Sequence, residues 1–210
     1  MGLHIGDDQI SRVYYGSTAI REVYVGSSLI WGGKKHLVES TRSGSREIPI
    51  PEWAEKISYR IIGGGGGGSV GDGSGLRTMQ GGRAGAVTTG TIIIPESATV
   101  AQTTAGNGGT GGTGSMRDGG PGGTSKLVVG EHTITADGGL GGRGAGVSRG
   151  EWPQLDASWL PPELIKVPGI TWTPVPGAGG DAGRSGFFNN FTDGDAGNPG
   201  GVVLVFTKGY

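Results

Sequence analysis

Residues 106–114 read Gly106-Asn107-Gly108-Gly109-Thr110-Gly111-Gly112-Thr113-Gly114, with Gly106, Gly109 and Gly112 in one register of period three and Gly108, Gly111 and Gly114 in a second. The same spacing returns at Gly177, Gly180, Gly183 and Gly186, and again at Gly194, Gly197 and Gly200. A flexible linker has no need of fixed spacing. Three residues per turn is the period of the polyproline II helix, which makes no internal hydrogen bonds and turns every N–H and C=O outward. Where such a segment is buried, those groups need partners. A face made of glycine lets two backbones approach closely enough to bond each other, with Cα–H···O contacts adding a smaller contribution. The runs span only three or four turns and are broken by longer inserts, so the expectation is a polyglycine II-like helix bundle folded back within one chain. Gly180-Asp181-Ala182-Gly183 and Gly194-Asp195-Ala196-Gly197 repeat one tetrapeptide, as two bundle helices with equivalent outward faces would.

Outward from the glycine runs, β-branched stretches point to strands. Glycine is 49 of 210 residues and the hydrophobic fraction is 33%, a composition that would suit a low-complexity chain. Runs such as Thr91-Ile92-Ile93-Ile94 and Val202-Val203-Leu204-Val205-Phe206 argue against that reading. Strands are expected over residues 46–51, 56–62, 86–94, 99–104, 126–129, 132–136 and 201–207, and the second of these runs directly into six glycines, residues 63–68. The fold class is mainly β and irregular.

The first thirty residues carry a repeat of period ten. Val13-Tyr14-x-Gly16-Ser17 and Val23-Tyr24-x-Gly26-Ser27 agree best, and Ile10, Ile20 and Ile30 each follow a glycine by four residues. Each unit reads as a short strand, a turn and a second short strand. Three such units are too small to close a core, so they are expected to be stable against another chain or domain. Ile10, Val13, Tyr14, Ile20, Val23, Tyr24, Ile30 and Trp31 are the expected assembly residues. The division is therefore an attachment segment, residues 1–43, and a glycine-rich domain, residues 44–210. Residues 31–44, with Gly32-Gly33 and the basic triplet Lys34-Lys35-His36, are expected to form a hinge.

Several function classes receive no support. The net charge of −1 with mixed charges offers no stripe for nucleic acid. No apolar window has the length of a membrane span, so no membrane insertion is expected. Cysteine is absent, which removes thiolate metal sites. His4, His36 and His132 lack metal-ligand spacing. Gly139-Leu140-Gly141-Gly142-Arg143-Gly144 matches a dinucleotide-binding pattern by chance of composition and opens no amphipathic helix. Neither an enzyme nor a cofactor is expected. An ice-binding role fits poorly with Arg77, Arg83, Arg117, Arg143, Arg149 and Arg184 among the glycines.

The order Ile48-Pro49-Ile50-Pro51, Arg60-Ile61-Ile62 into hexaglycine, Ile92-Ile93-Ile94-Pro95, and Gly200-Gly201-Val202-Val203-Leu204-Val205-Phe206 resembles the glycine-rich domain of phage minor tail proteins and tail-tip adhesins, over roughly residues 44–210. The Val-Tyr-x-Gly-Ser repeat is similar to segments at the start of minor tail proteins of phages infecting actinobacteria. The resemblance implies location in the virion at the tail tip, a homotrimer, contacts with other phage tail proteins through the N-terminal segment, and either a receptor-binding or a purely structural role. Adhesins of this kind present apical loops to the host.

The sequence departs from the bare pattern in an aromatic insert at residues 147–176, nearly free of glycine. It holds Trp152, Trp159 and Trp172; a second cluster is Phe187, Phe188, Asn189, Asn190 and Phe191. A glycine bundle has no interior room for such rings. They either pack over the bundle or a neighbouring subunit, or stand at its end as a contact surface. With Asp156, these residues are the candidate ligand-binding set, suited to a host cell-surface glycan.

Overall fold

The computed structural model of the chain describes residues 35–70, 81–114, 118–143, 180–181 and 193–208, together with the backbone of short strands between residues 4 and 32. Those short strands form three separate antiparallel hairpins: β1 (His4–Ile5) with β2 (Asp8–Gln9), β3 (Val13–Tyr15) with β4 (Thr18–Ile20), and β5 (Glu22–Val25) with β6 (Ser28–Gly32). Each period of ten is thus one hairpin. Val13 and Tyr14 lie on β3, Ile20 on β4, Val23 and Tyr24 on β5, Ile30 and Trp31 on β6; Ile10 falls outside the described residues.

The remaining strands are β7 (Lys35–Thr41), β8 (Ser45–Pro49), β9 (Lys56–Ile62), β10 (Val87–Ile93), β11 (Val100–Thr104), β12 (Ser125–Val129), β13 (His132–Ala136) and β14 (Gly201–Lys208). They make two four-stranded antiparallel sheets, ordered β10-β9-β14-β7 and β13-β12-β11-β8. Alternation sets the packing, since period two sends every second side chain to the same face. Ile57 and Ile61 of β9, Val202, Leu204 and Phe206 of β14, and Ile92 of β10 meet Ile48, Ala101, Leu127, Val129 and Ala136 of the other sheet in one core. Burying an aliphatic or aromatic side chain of this size contributes about 1.5–3 kcal/mol. Trp53, Ala54 and Tyr59 pack against the same cluster. On the second sheet the outward positions Glu47, Gln102, Lys126, Thr133 and Thr135 are exposed. On the first sheet Ser58, Arg60, Val203, Val205 and Thr207, which alternate with the core residues, are buried as well.

Two turns require a left-handed backbone, at Gly44 (φ 61°) between β7 and β8 and at Gly130 (φ 55°) between β12 and β13. Glycine adopts that conformation without the steric penalty of a Cβ.

The stretch expected as a hinge contains β7. Seven residues, from Lys35 to Thr41, pair antiparallel with β14, placing Val38 opposite Val205 and Thr41 opposite Val202. The basic triplet that marked the expected hinge includes Lys35 and His36, and an edge strand tolerates such charge on its free side and is protected by it. The Thr41 and Thr103 hydroxyls bond across the two sheets at 2.6 Å, buried, and Arg46 pairs with Glu39 at 3.4 Å. Truncation to residues 44–210 is accordingly expected to lower the melting temperature by several degrees relative to truncation to residues 35–210. Thermal unfolding of the two proteins followed by circular dichroism checks this; equal midpoints would mean that β7 adds nothing to the sheet.

Candidate functional site

At Ile62 β9 runs without a turn into residues 63–68, and the ladder of the sheet gives way to a different hydrogen-bond scheme. Successive amides point in three directions in rotation. Gly63 and Gly66 donate to the carbonyls of Ala86 and Arg83; Gly64 and Gly67 to Gly123 and Gly120; Gly65 and Gly68 to Asn198 and Asp195, all at 2.8 or 2.9 Å. In each pair the partner number falls by three as the donor rises by three, so these neighbours run antiparallel. The carbonyls are used in the same rotation. Gly64 and Gly67 accept from Gly139 and Gly142, Gly65 and Gly68 from Gly109 and Gly112, and Gly66 from Gly180, at 2.7 or 2.8 Å. The first two of these neighbours run parallel to residues 63–68. Six segments therefore surround one.

The six also bond to one another and close a ring. Arg83 and Ala86 donate to Leu140 and Asp137; Gly119 and Gly122 to Gly142 and Gly139; Gly120 and Gly123 to Thr110 and Asn107. Gly194, Gly197 and Gly200 donate to Gly112, Gly109 and Gly106, Asp195 to Asp181, and Gly82 to Gly180. Burial follows the same period: Gly106, Gly109 and Gly112 are buried, while Asn107, Thr110 and Thr113 are exposed. In the next segment Gly139 and Gly142 are buried while Asp137, Leu140 and Arg143 are exposed.

Close approach explains why glycine is required. A Cβ built on Gly63 would meet the carbonyl of Asp137, one on Gly64 that of Asn107, one on Gly66 that of Leu140 and one on Gly67 that of Thr110, each closer than 3.0 Å to backbone. Ring glycines face the centre in turn, Gly82 against Gly66, Gly119 against Gly67 and Gly122 against Gly64. Ser125, which sequence reading passed over, ties the bundle to the sandwich. Its buried hydroxyl donates to the Ile62 carbonyl at 2.6 Å and accepts from the Gly106 amide at 2.8 Å.

Six of the eight strands of the sandwich feed or receive a bundle segment: β9, β11 and β13 lead outward, and β10, β12 and β14 are entered on the way back. Residue 63 stands at the sandwich and residue 68 at the far end. Gly142, bonded at the level of Gly67, and Gly194, bonded through Gly112 to the level of Gly68, lie toward that far end, while Gly180 donates to Gly66 farther in and leads outward to Asp181. These are the described flanks of the two aromatic stretches. Trp152, Asp156, Trp159, Trp172, Phe187, Phe188, Asn189, Asn190 and Phe191 themselves lie outside the described residues. His36 is on β7 and His132 on β13, strands at opposite edges of different sheets, and among the described residues no cluster of His, Asp or Glu is arranged to hold a metal.

Substitution should separate inward from outward positions. Gly67→Ala and Gly109→Ala are expected to cost about 3 kcal/mol or more, since backbone has nowhere to retreat, while Asp195→Ala, at an exposed side chain, stays within about 0.5 kcal/mol. Urea denaturation of the three variants checks the contrast, and similar stabilities would place the glycines at the surface. Ser125→Ala leaves a buried amide and a buried carbonyl without their hydroxyl partner, an expected loss of about 1–3 kcal/mol in the same titration; no loss would show that the junction holds without it.

Comparison with known proteins adds a family. A family model described as a glycine-rich domain matches residues 40–158, a span that takes in β8 to β13 and five of the seven bundle segments. No curated protein matches the chain. Because the matched span exceeds half of its length, the chain belongs to the glycine-rich domain family.

Proposed function

We propose that the chain is a minor tail protein at the tip of a phage tail, acting as an adhesin whose loops bind a host cell-surface glycan, and that its glycine segments are polyglycine II helices. The three-direction rotation of hydrogen bonds along residues 63–68 is what a helix of three residues per turn requires. The observation that carries the adhesive reading is the position of Gly142 and Gly194, one described flank of each aromatic stretch, toward the end of the bundle away from the sandwich. Residues 147–176 follow the first of these flanks in the sequence and residues 186–193 lead up to the second. A rigid support with irregular loops at one end is a sound way to hold binding residues without catalytic machinery. Indole and phenyl faces suit the apolar faces of sugars, and Asp156, Asn189 and Asn190 suit their hydroxyls. The repeated hairpins of the first 32 residues fit attachment to other tail proteins.

Labelled protein applied to a panel of actinobacterial cells and their isolated wall polysaccharides tests the reading. Wild type is expected to bind at least one, and Trp152→Ala with Trp159→Ala, or Phe188→Ala with Asn189→Ala, to lose tenfold or more in affinity while melting like wild type. Folded variants that bind as well as wild type, or a wild type that binds no cell, would leave the protein as a structural brace.

A further inference from the structure

The four edges of the sandwich are unlike. β7 carries Lys35, His36 and Glu39, and β8 carries Arg46, Glu47 and Pro49, the charges and proline that keep an edge from pairing with another chain. β13 is only five residues long, and the Thr135 carbonyl is engaged by the Thr88 hydroxyl at 2.9 Å. β10 differs from all three. Its sequence, Val87-Thr88-Thr89-Gly90-Thr91-Ile92-Ile93, has no charge and no proline, and among the described residues it pairs only with β9.

The ladder shows which groups β10 leaves open. Ala86 accepts from Gly63 and Ile94 donates to Glu55, so even-numbered residues direct their N–H and C=O toward β9 and odd-numbered ones direct theirs away, as antiparallel pairing demands. The odd residues Val87, Thr89, Thr91 and Ile93 are all exposed, Ile93 by 75% and Val87 by 41%. Tyr59 lies over Gly90 on the core side, where a Cβ would meet its ring.

We propose that β10 is a homodimerisation edge, pairing antiparallel with β10 of a second copy about a two-fold axis at Gly90. That register sets Val87 opposite Ile93 and Thr89 opposite Thr91, so the outward N–H and C=O groups of all four residues find partners. Aliphatic pairs and threonine pairs are among the favourable cross-strand combinations, and the absence of charge removes the repulsion that self-pairing would otherwise bring. A second copy is favoured over a foreign strand because the complementarity is of β10 with itself. A two-fold pair also differs from the trimer that family resemblance implies.

Sedimentation velocity of the full chain over a hundredfold concentration range tests this. Wild type is expected to be a dimer. Thr89→Lys with Thr91→Lys sets lysine opposite lysine twice and should weaken association at least tenfold; Thr89→Lys with Thr91→Glu sets lysine opposite glutamate in this register alone and should restore the dimer. Both double variants lose the Thr91 hydroxyl that bonds Ser58 at 3.1 Å, so that loss is common to the pair, and circular dichroism should show both folded like wild type. A wild-type monomer, a wild-type trimer, or a dimer equally affected by the two double variants would overturn the proposal.

Discussion

Residues 63–68 have no hydrogen-bond partners within their own segment, and everything around them follows from how their amides and carbonyls are satisfied. Six donated and five accepted backbone bonds go to six different neighbours. A Cβ on Gly63, Gly64, Gly66 or Gly67 would sit on a neighbour's carbonyl, and one on Gly82, Gly119, Gly122 or Gly197 would sit on a carbonyl of residues 63–68, and this is why glycine recurs in the ring with a period of three. The energetics are close to balanced. A backbone bond contributes about 0.5–1.5 kcal/mol net, while ordering a residue costs about 1–2 kcal/mol, and glycine has the most freedom to lose. The bundle therefore depends on something else to bring its segments into register.

That support is the sandwich. Phe206, Leu204, Ile57, Ile61 and Leu127 are fully buried, and the strands that carry them set the spacing and direction of the glycine segments they adjoin. β9 delivers residues 63–68 to the centre, and Ser125 clamps the start of that segment to the start of residues 106–112. Apolar burial at one end thus holds a layer of hydrogen-bonded backbone beyond it. A support of this kind has little tolerance for inward substitution and ample tolerance at Asn107, Thr110, Leu140 and Asp195, whose side chains face solvent.

Much of this was legible in the sequence, for identifiable reasons. The seven strands expected in the glycine-rich domain lie within two residues of β8 to β14, because β-branched runs there are bounded by glycine and proline. The period of three was legible because a single face of each ring segment must be glycine. The role of hexaglycine as the centre was not drawn out, although its signal was present: only a segment surrounded on all sides needs glycine at every position. β7 was missed because the polar residues of an edge strand resemble a loop. The order of the ring was illegible, since one glycine segment presents the same chemistry to any other. The candidate aromatic residues lie outside the described residues.

Backbone amide hydrogen exchange of residues 63–68, followed by nuclear magnetic resonance, tests the central constraint most directly. If these six amides are held by Ala86, Gly123, Asn198, Arg83, Gly120 and Asp195, they should exchange as slowly as the amides of β9 and β14 despite belonging to an uninterrupted glycine run. Exchange at the rate of an unstructured glycine peptide, with β9 and β14 still protected, would contradict the bundle.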